Sequence, residues 1–186
     1  MTSQEQIIKE CQAGNLDDFG SIYDDFFDKI YRFIYYKTHH KQTAEDLTSK
    51  TFIKALENIK SFDFKKGLFS SWIYKIARNN VIDHYRTKKN DLDISDIWDL
   101  GKSNNFDKDM DNKEKLEQVS EYLKELKPEQ REIVIMRVWD GLSYKEISEI
   151  IDKTEANCKM IFFRTMSKLR EEIPLALLIT LLIKNI

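Results

Sequence analysis

Apolar side chains recur every three or four positions along most of this chain, so the pattern predicts a succession of amphipathic helices and no sheet. Ile7, Ile8 and Cys11 mark a first helix from about Gln4. An aromatic-rich second helix runs from Phe19 to Tyr36, with Phe19, Tyr23, Phe26, Ile30, Phe33 and Ile34 spaced as a core stripe. Thr43 is placed to cap a third helix, its first turn made favourable by Glu45 and Asp46, and Leu47, Phe52, Ile53, Leu56 and Ile59 supply the inner side. The period breaks between Ser61 and Ser70, where Gly67 permits a turn. Ser70 or Ser71 then caps a fourth helix that extends to about Lys89.

Between Asn90 and Asn112 the composition changes to a run of aspartates with few apolar residues, the pattern of a solvated connector. Helical spacing resumes at Glu114, and Pro128 suits the first turn of a helix that reaches Trp139 and is stopped by Asp140-Gly141. Ser143 and Glu146 have the spacing of a capping box at the start of a short helix bearing Ile147, Ile150 and Ile151. Asp152-Lys153-Thr154 makes a tight turn into a last helix whose inner side is Cys158, Phe162, Thr165 and Leu169. Two short helices so closely joined form a helix-turn-helix. The fold expected is all-α: two small helical domains, 1–89 and 114–172, joined by an acidic linker, 90–113, the second domain containing the helix-turn-helix. An apolar tail, 173–186, follows; its uninterrupted run is too short to span a bilayer, which takes about 20 apolar residues.

Composition narrows the function. Only 5 Gly and 2 Pro among 186 residues suit helical bundles with few turns. The formal net charge of −2 argues against a protein that coats nucleic acid unaided, yet the charge is segregated and leaves local basic faces. Cys11 and Cys158 belong to no metal-binding or disulfide pattern, and neither the His39-His40 pair nor His84 converges with other ligands, so no metal, cofactor or small-molecule substrate is expected. There is no phosphate-cradling Gly loop and no nucleophile flanked by a base, so enzyme activity is not expected either. The N-terminus lacks the features of a secretion signal, and a cytoplasmic location is expected.

Two helices carry the candidate chemistry. On the fourth, a turn of about 100° per residue brings Lys75, Arg78, Ile82, Arg86 and Lys89 onto one side, with Ile73, Ala77, Asn80 and His84 opposite and Tyr74 and Tyr85 flanking the basic row. Cations that hold a phosphate backbone beside aromatic rings suit a single DNA strand, whose unpaired bases stack for about 1–3 kcal/mol each. On the last helix, Glu155, Asn157, Lys159, Met160 and Phe163 face outward near the N-terminus, where a recognition helix meets base edges. Arg164, Lys168 and Arg170 are better placed for phosphates.

The segments TAEDLTSKTFIKALENIKSF, SSWIYKIARNNVIDHYR and LKPEQREIVIMRVWDGLSYKEIS, in this order, resemble the bacterial extracytoplasmic-function sigma factors over nearly the whole chain. The resemblance implies a first domain that binds core RNA polymerase and opens the −10 promoter element, and a second that binds the −35 element. It assigns Asp46, Leu47, Phe52 and Ile53 to the polymerase clamp. Phe62, Phe64 and Phe69 would form the loop that cradles a flipped promoter base, Asn79 would help read the non-template strand, and Lys75, Arg78 and Arg86 would hold its backbone. Ser49 and Lys50 depart from the common pattern, as do Asp152 in the turn and Ile161 where an Arg is frequent. Family resemblance also implies that the acidic linker threads the polymerase and that an anti-sigma factor is a partner.

Two other readings remain open from sequence. A helix-turn-helix regulator that does not bind core polymerase shares the GLS-x-KEI segment but leaves Ser61–Lys89 unexplained. A membrane-associated interaction protein would use the apolar tail.

Overall fold

The computed structural model describes residues 3–88, 122–123 and 125–172. The acidic linker and the apolar tail lie outside the described residues. The chain divides into two compact units, Met1–Gly101 and Lys102–Ile186. Every regular element among the described residues is helical.

The first unit contains α1 (Ser3–Ala13), α2 (Phe19–Thr38), α3 (Lys41–Asn58), a 3-10 turn (Ile59–Ser61) and α4 (Phe69–Lys88). Helices α2, α3 and α4 pack against one another, and α1 lies on α2 and the 3-10 turn. Ile22, Phe26, Ile30, Phe33 and Ile34 from α2 meet Leu47, Phe52 and Ala55 from α3 and Ile73, Tyr74, Ala77 and Val81 from α4 in a buried core. Burying each large side chain of this kind contributes about 1.5–3 kcal/mol. The amide of Gln12 ties α1 down by donating to the carbonyls of Ile59 at 3.0 Å and Phe62 at 2.6 Å.

Several expectations require correction. Tyr23 and Ile53, placed in the core by periodicity, are 39% and 57% exposed, because the stripes turn around them onto Ile22 and Ala55. Helix α3 is capped by His40, not Thr43: the imidazole Nδ1 accepts from the Thr43 backbone N–H at 3.2 Å, while His39 adopts a left-handed φ of 48° to close α2. That compact corner lets α3 begin at Lys41. Helix α4 starts at Phe69, so Ser70 and Ser71 lie in its first turn, and Ser71 is buried. Tyr74 does not flank the basic row; it is fully buried, its ring edge-to-face with Phe33 at 5.1 Å.

Helices α3 and α4 also share a polar bridge. Lys54 Nζ donates to Asn80 Oδ1 at 2.7 Å, Asn80 Nδ2 donates to Thr51 Oγ1 at 3.0 Å, and Thr51 donates to the Leu47 carbonyl at 2.7 Å. Asn80 is fully buried, where an amide without partners would cost about 1–3 kcal/mol.

The second unit contains α5 (Pro128–Val134), a π-helical turn (Ile135–Trp139), α6 (Tyr144–Ile151) and α7 (Glu155–Glu172). Pro128 sits where its missing N–H is harmless, and the Lys127 N–H is met by Gln130 Oε1 at 3.2 Å. The helix widens before it stops, with Asp140 N–H reaching back to Ile135 O at 3.3 Å and Gly141 at φ 70°. The expected capping box is present: Ser143 Oγ accepts from Glu146 N–H at 3.2 Å, and Glu146 Oε2 accepts from Ser143 N–H at 2.7 Å. Asp152 takes the left-handed turn position at φ 56°, a conformation its short polar side chain tolerates. Thr154 Oγ1 then caps α7 by accepting from Asn157 N–H at 3.2 Å. Ile147, Ile150 and Ile151 of α6 join Cys158, Thr165 and Leu169 of α7 in the core beneath the helix-turn-helix.

Candidate nucleic-acid interfaces

Helix α4 separates its two jobs around its axis. Ile73, Tyr74, Ala77, Asn80 and Val81 are buried, whereas Asn79, Ile82 and Arg86 are exposed and Lys75 and Arg78 half-buried on the other side. Lys89 lies outside the described residues. Arg86 pairs with Asp83 at 3.1 Å on an open surface. Such a pair is worth about 0–1 kcal/mol and yields readily to a phosphate.

The loop before α4 is an aromatic platform rather than a row of open rings. Phe62 and Phe69 are buried, packing on each other at 5.4 Å, each on Trp72 at 5.4 Å, and Phe69 on Phe26 at 5.6 Å. Phe64 and Trp72 are half-buried above them, and Lys9 Nζ stands 5.8 Å from the Phe64 ring centre. Trp72 and Lys9 were not singled out from sequence. Trp72 carried a signal, three residues before Lys75; Lys9 comes from α1 and carried none. Tyr85 is half-buried, its hydroxyl donating to Lys37 O at 3.1 Å.

On α3, Asp46 is exposed on the same face as Ile53, two turns away, whereas Leu47 and Phe52 are core residues. The Phe52 ring lies 4.7 Å from Tyr23 and 6.4 Å from Phe27, so it supports an exposed apolar surface from below. Phe27 stacks in turn on Tyr31 at 6.1 Å. Burial first, then the Glu45 carboxylate and Tyr35, raise the Tyr31 pKa and keep its phenol neutral.

On α7, Glu155, Lys159, Met160, Phe163, Arg164, Lys168 and Arg170 are exposed and Asn157 half-buried. Lys159 is held from two sides, by Glu155 at 2.8 Å and by the Tyr144 ring at 5.7 Å. Arg137 lies 4.8 Å from the same ring and donates to Leu142 O at 2.9 Å. Sequence spacing did not single out Arg137 or Tyr144, because the ring joins three elements that only the fold brings together.

Both cysteines are buried and their pKa values raised by that burial, Cys11 further by Asp18 and Glu10. A raised thiol pKa stabilises the fold fully below the ordinary thiol range, and this contribution is lost as pH climbs through the folded value. We predict that a thiol reagent at neutral pH labels neither cysteine in the native protein and both after denaturation; fast native labelling would refute the packing. No group of three or more His, Cys, Asp or Glu among the described residues is arranged to hold a metal ion. No helix among them is long and apolar enough to cross a membrane.

Comparison with known proteins agrees with this division. Residues 22–90 match Sigma-70 region 2, and residues 116–169 match Sigma-70 region 4. The ECF RNA polymerase sigma factor BldN of Streptomyces coelicolor is 33% identical over 174 residues, covering 91% of this chain and 65% of BldN. The ECF RNA polymerase sigma factor SigM of Bacillus subtilis is 35% identical over 151 residues, covering 80% of this chain and 91% of SigM. The structure of CnrH, solved in complex with the cytosolic domain of CnrY, shares the fold with a TM-score of 0.69 at 16% identity, over 89% of this chain and 93% of CnrH. With region 2 and region 4 in sequence order and such relatives along most of its length, this chain belongs to the ECF-type RNA polymerase sigma factors.

Proposed function

We propose that this sigma factor docks on core RNA polymerase through the α3 surface around Asp46 and Ile53, anchors at the −35 element through α7, and melts the −10 element with α4. The observation that carries the reading is the division of α4: one side seals the core while the other offers Lys75, Arg78, Asn79 and Arg86 beside an aromatic platform. Phosphate contacts hold the strand in register, and stacking on half-buried Phe64 and Trp72 offsets part of the few kcal/mol, roughly, that each unpaired base costs. Phe62 and Phe69 act beneath them by fixing the platform. Leu47 and Phe52 likewise act through the surface they support.

The protein works by binding, without catalytic chemistry of its own, in the cytoplasm alongside the polymerase. Its domains are residues 1–89 and 114–172, with 90–113 as linker. CnrH was solved with CnrY, and a partner of the anti-sigma kind would silence this protein by covering its polymerase-binding surface.

Run-off transcription with purified core polymerase on genomic fragments tests the reading. Discrete transcripts that require this protein are expected. Binding to duplex DNA with no polymerase complex would instead favour a helix-turn-helix regulator.

A further inference from the structure

The outermost line of α7 is apolar from Ala156 to Phe163, before exposed Ser167. Opposite the buried side formed by Cys158, Thr165 and Leu169, helical geometry places Ala156, Met160 and Phe163 in one stripe. Met160 is 44% exposed and Phe163 62%, and among the described residues no core lies above them. Exposed Lys159 and Arg170 run along one border of the stripe, exposed Arg164 and Lys168 along the other. A helix lying in the major groove meets phosphates of both strands at its sides and base edges along its centre line. Cations at both borders therefore match that occupant, whereas an apolar protein surface would have to desolvate them.

Along the centre line, this helix offers little that reads hydrogen-bonding edges. Glu155 and Lys159, paired at 2.8 Å with Lys159 also 5.7 Å from the Tyr144 ring, stand at the border of the stripe and not on its centre line. The one base-edge feature that an apolar side chain recognises in the major groove is the C5 methyl of thymine. Building on the sigma-factor reading above, we propose that Met160 and Phe163 set −35 specificity by packing on thymine methyls at two neighbouring positions. One helical turn, 5.4 Å, spans between one and two base-pair steps, which suits residues three apart.

The test uses holoenzyme reconstituted with the full chain and a promoter duplex recovered by run-off transcription. Each −35 thymine is replaced in turn by deoxyuridine, which removes only the methyl. At one or two positions, affinity is expected to fall about fourfold, the worth of one buried methyl group at about 0.8 kcal/mol. Met160→Ala and Phe163→Ala should each abolish the effect at one position, and Met160→Leu should restore it. A −35 element lacking thymine on both strands overturns the proposal, as do equal affinities for thymine and deoxyuridine duplexes. It is also overturned if the variants weaken both duplexes equally, or impair assembly with core polymerase instead of DNA binding. Failure to form a specific complex on any promoter would defeat the sigma-factor reading itself, a result distinct from loss of the methyl effect alone.

Discussion

Replacing Lys75, Arg78 and Arg86 together with alanine should abolish promoter opening while leaving assembly with core polymerase nearly unchanged. The three side chains share the outer side of α4 and take no part in the apolar core. Each phosphate contact to a single strand contributes about 0.7 to the slope of log affinity against log salt, so three lost contacts lower that slope by about 2. Loss of Arg86 also leaves half-buried Asp83 without its 3.1 Å partner, adding a negative charge where the strand would pass. Permanganate reactivity of −10 thymines reports opening, and gel filtration with core polymerase reports assembly. Thermal melting of the variant controls for the packing of the half-buried Lys75 and Arg78 stems. An equal fall in opening and assembly would show that the basic row is not dedicated to DNA.

Ile53→Glu should have the reverse effect, preventing assembly and thereby every later step. Ile53 is the most exposed large apolar side chain of α3, and it follows Phe52, whose ring packs on Tyr23 at 4.7 Å. Burying a carboxylate at the centre of such a contact should cost at least about 2 kcal/mol, near thirtyfold in affinity. Glutamate is a good helix former, so α3 should keep its stability. Phe52→Ala provides the contrast: removing a buried ring costs about 3–5 kcal/mol and should unfold the first unit before binding can be measured. Wild-type affinity of Ile53→Glu for core polymerase, measured by fluorescence titration, would remove this surface from the interface.

The helices were legible in the sequence because their signals are local. The Ser143–Glu146 capping box, the Asp152 turn and the Pro128 start depend on residues within a few positions of one another, and all three appear in the fold. Periodicity was less reliable at the margins of a stripe. It gave Tyr23 and Ile53 to the core and Tyr74 to the surface, because a spacing of three or four fixes a helical face only to within about one residue. What decides these cases is the neighbouring helix: the Phe33 ring encloses Tyr74, whereas the described residues leave much of Ile53 uncovered.

The candidate sites divide in the same way. The basic row of α4 and the outward residues of α7 follow from helical geometry: Ile82, Arg86, Glu155, Lys159, Met160 and Phe163 are exposed, while Lys75, Arg78 and Asn157 are half-buried and Lys89 lies outside the described residues. The aromatic platform did not follow, since Phe26, Phe62, Phe69 and Trp72 come from three separate segments and only packing sorts floor from surface. His40 as the cap of α3 was hidden for another reason: histidine ranks poorly among capping residues, and only the left-handed turn at His39 aims its ring at the Thr43 N–H.

The bridge from Lys54 through Asn80 to Thr51 gives the first unit a mechanical property that apolar contacts alone would not. Methyl groups slide past one another at little cost, but rotating α4 about its axis would strip Asn80 of both partners in a site closed to water. The α3 surface around Asp46 and Ile53 and the basic row of α4 are thus keyed at a fixed angle, so wherever a partner seats one, the other arrives already aimed.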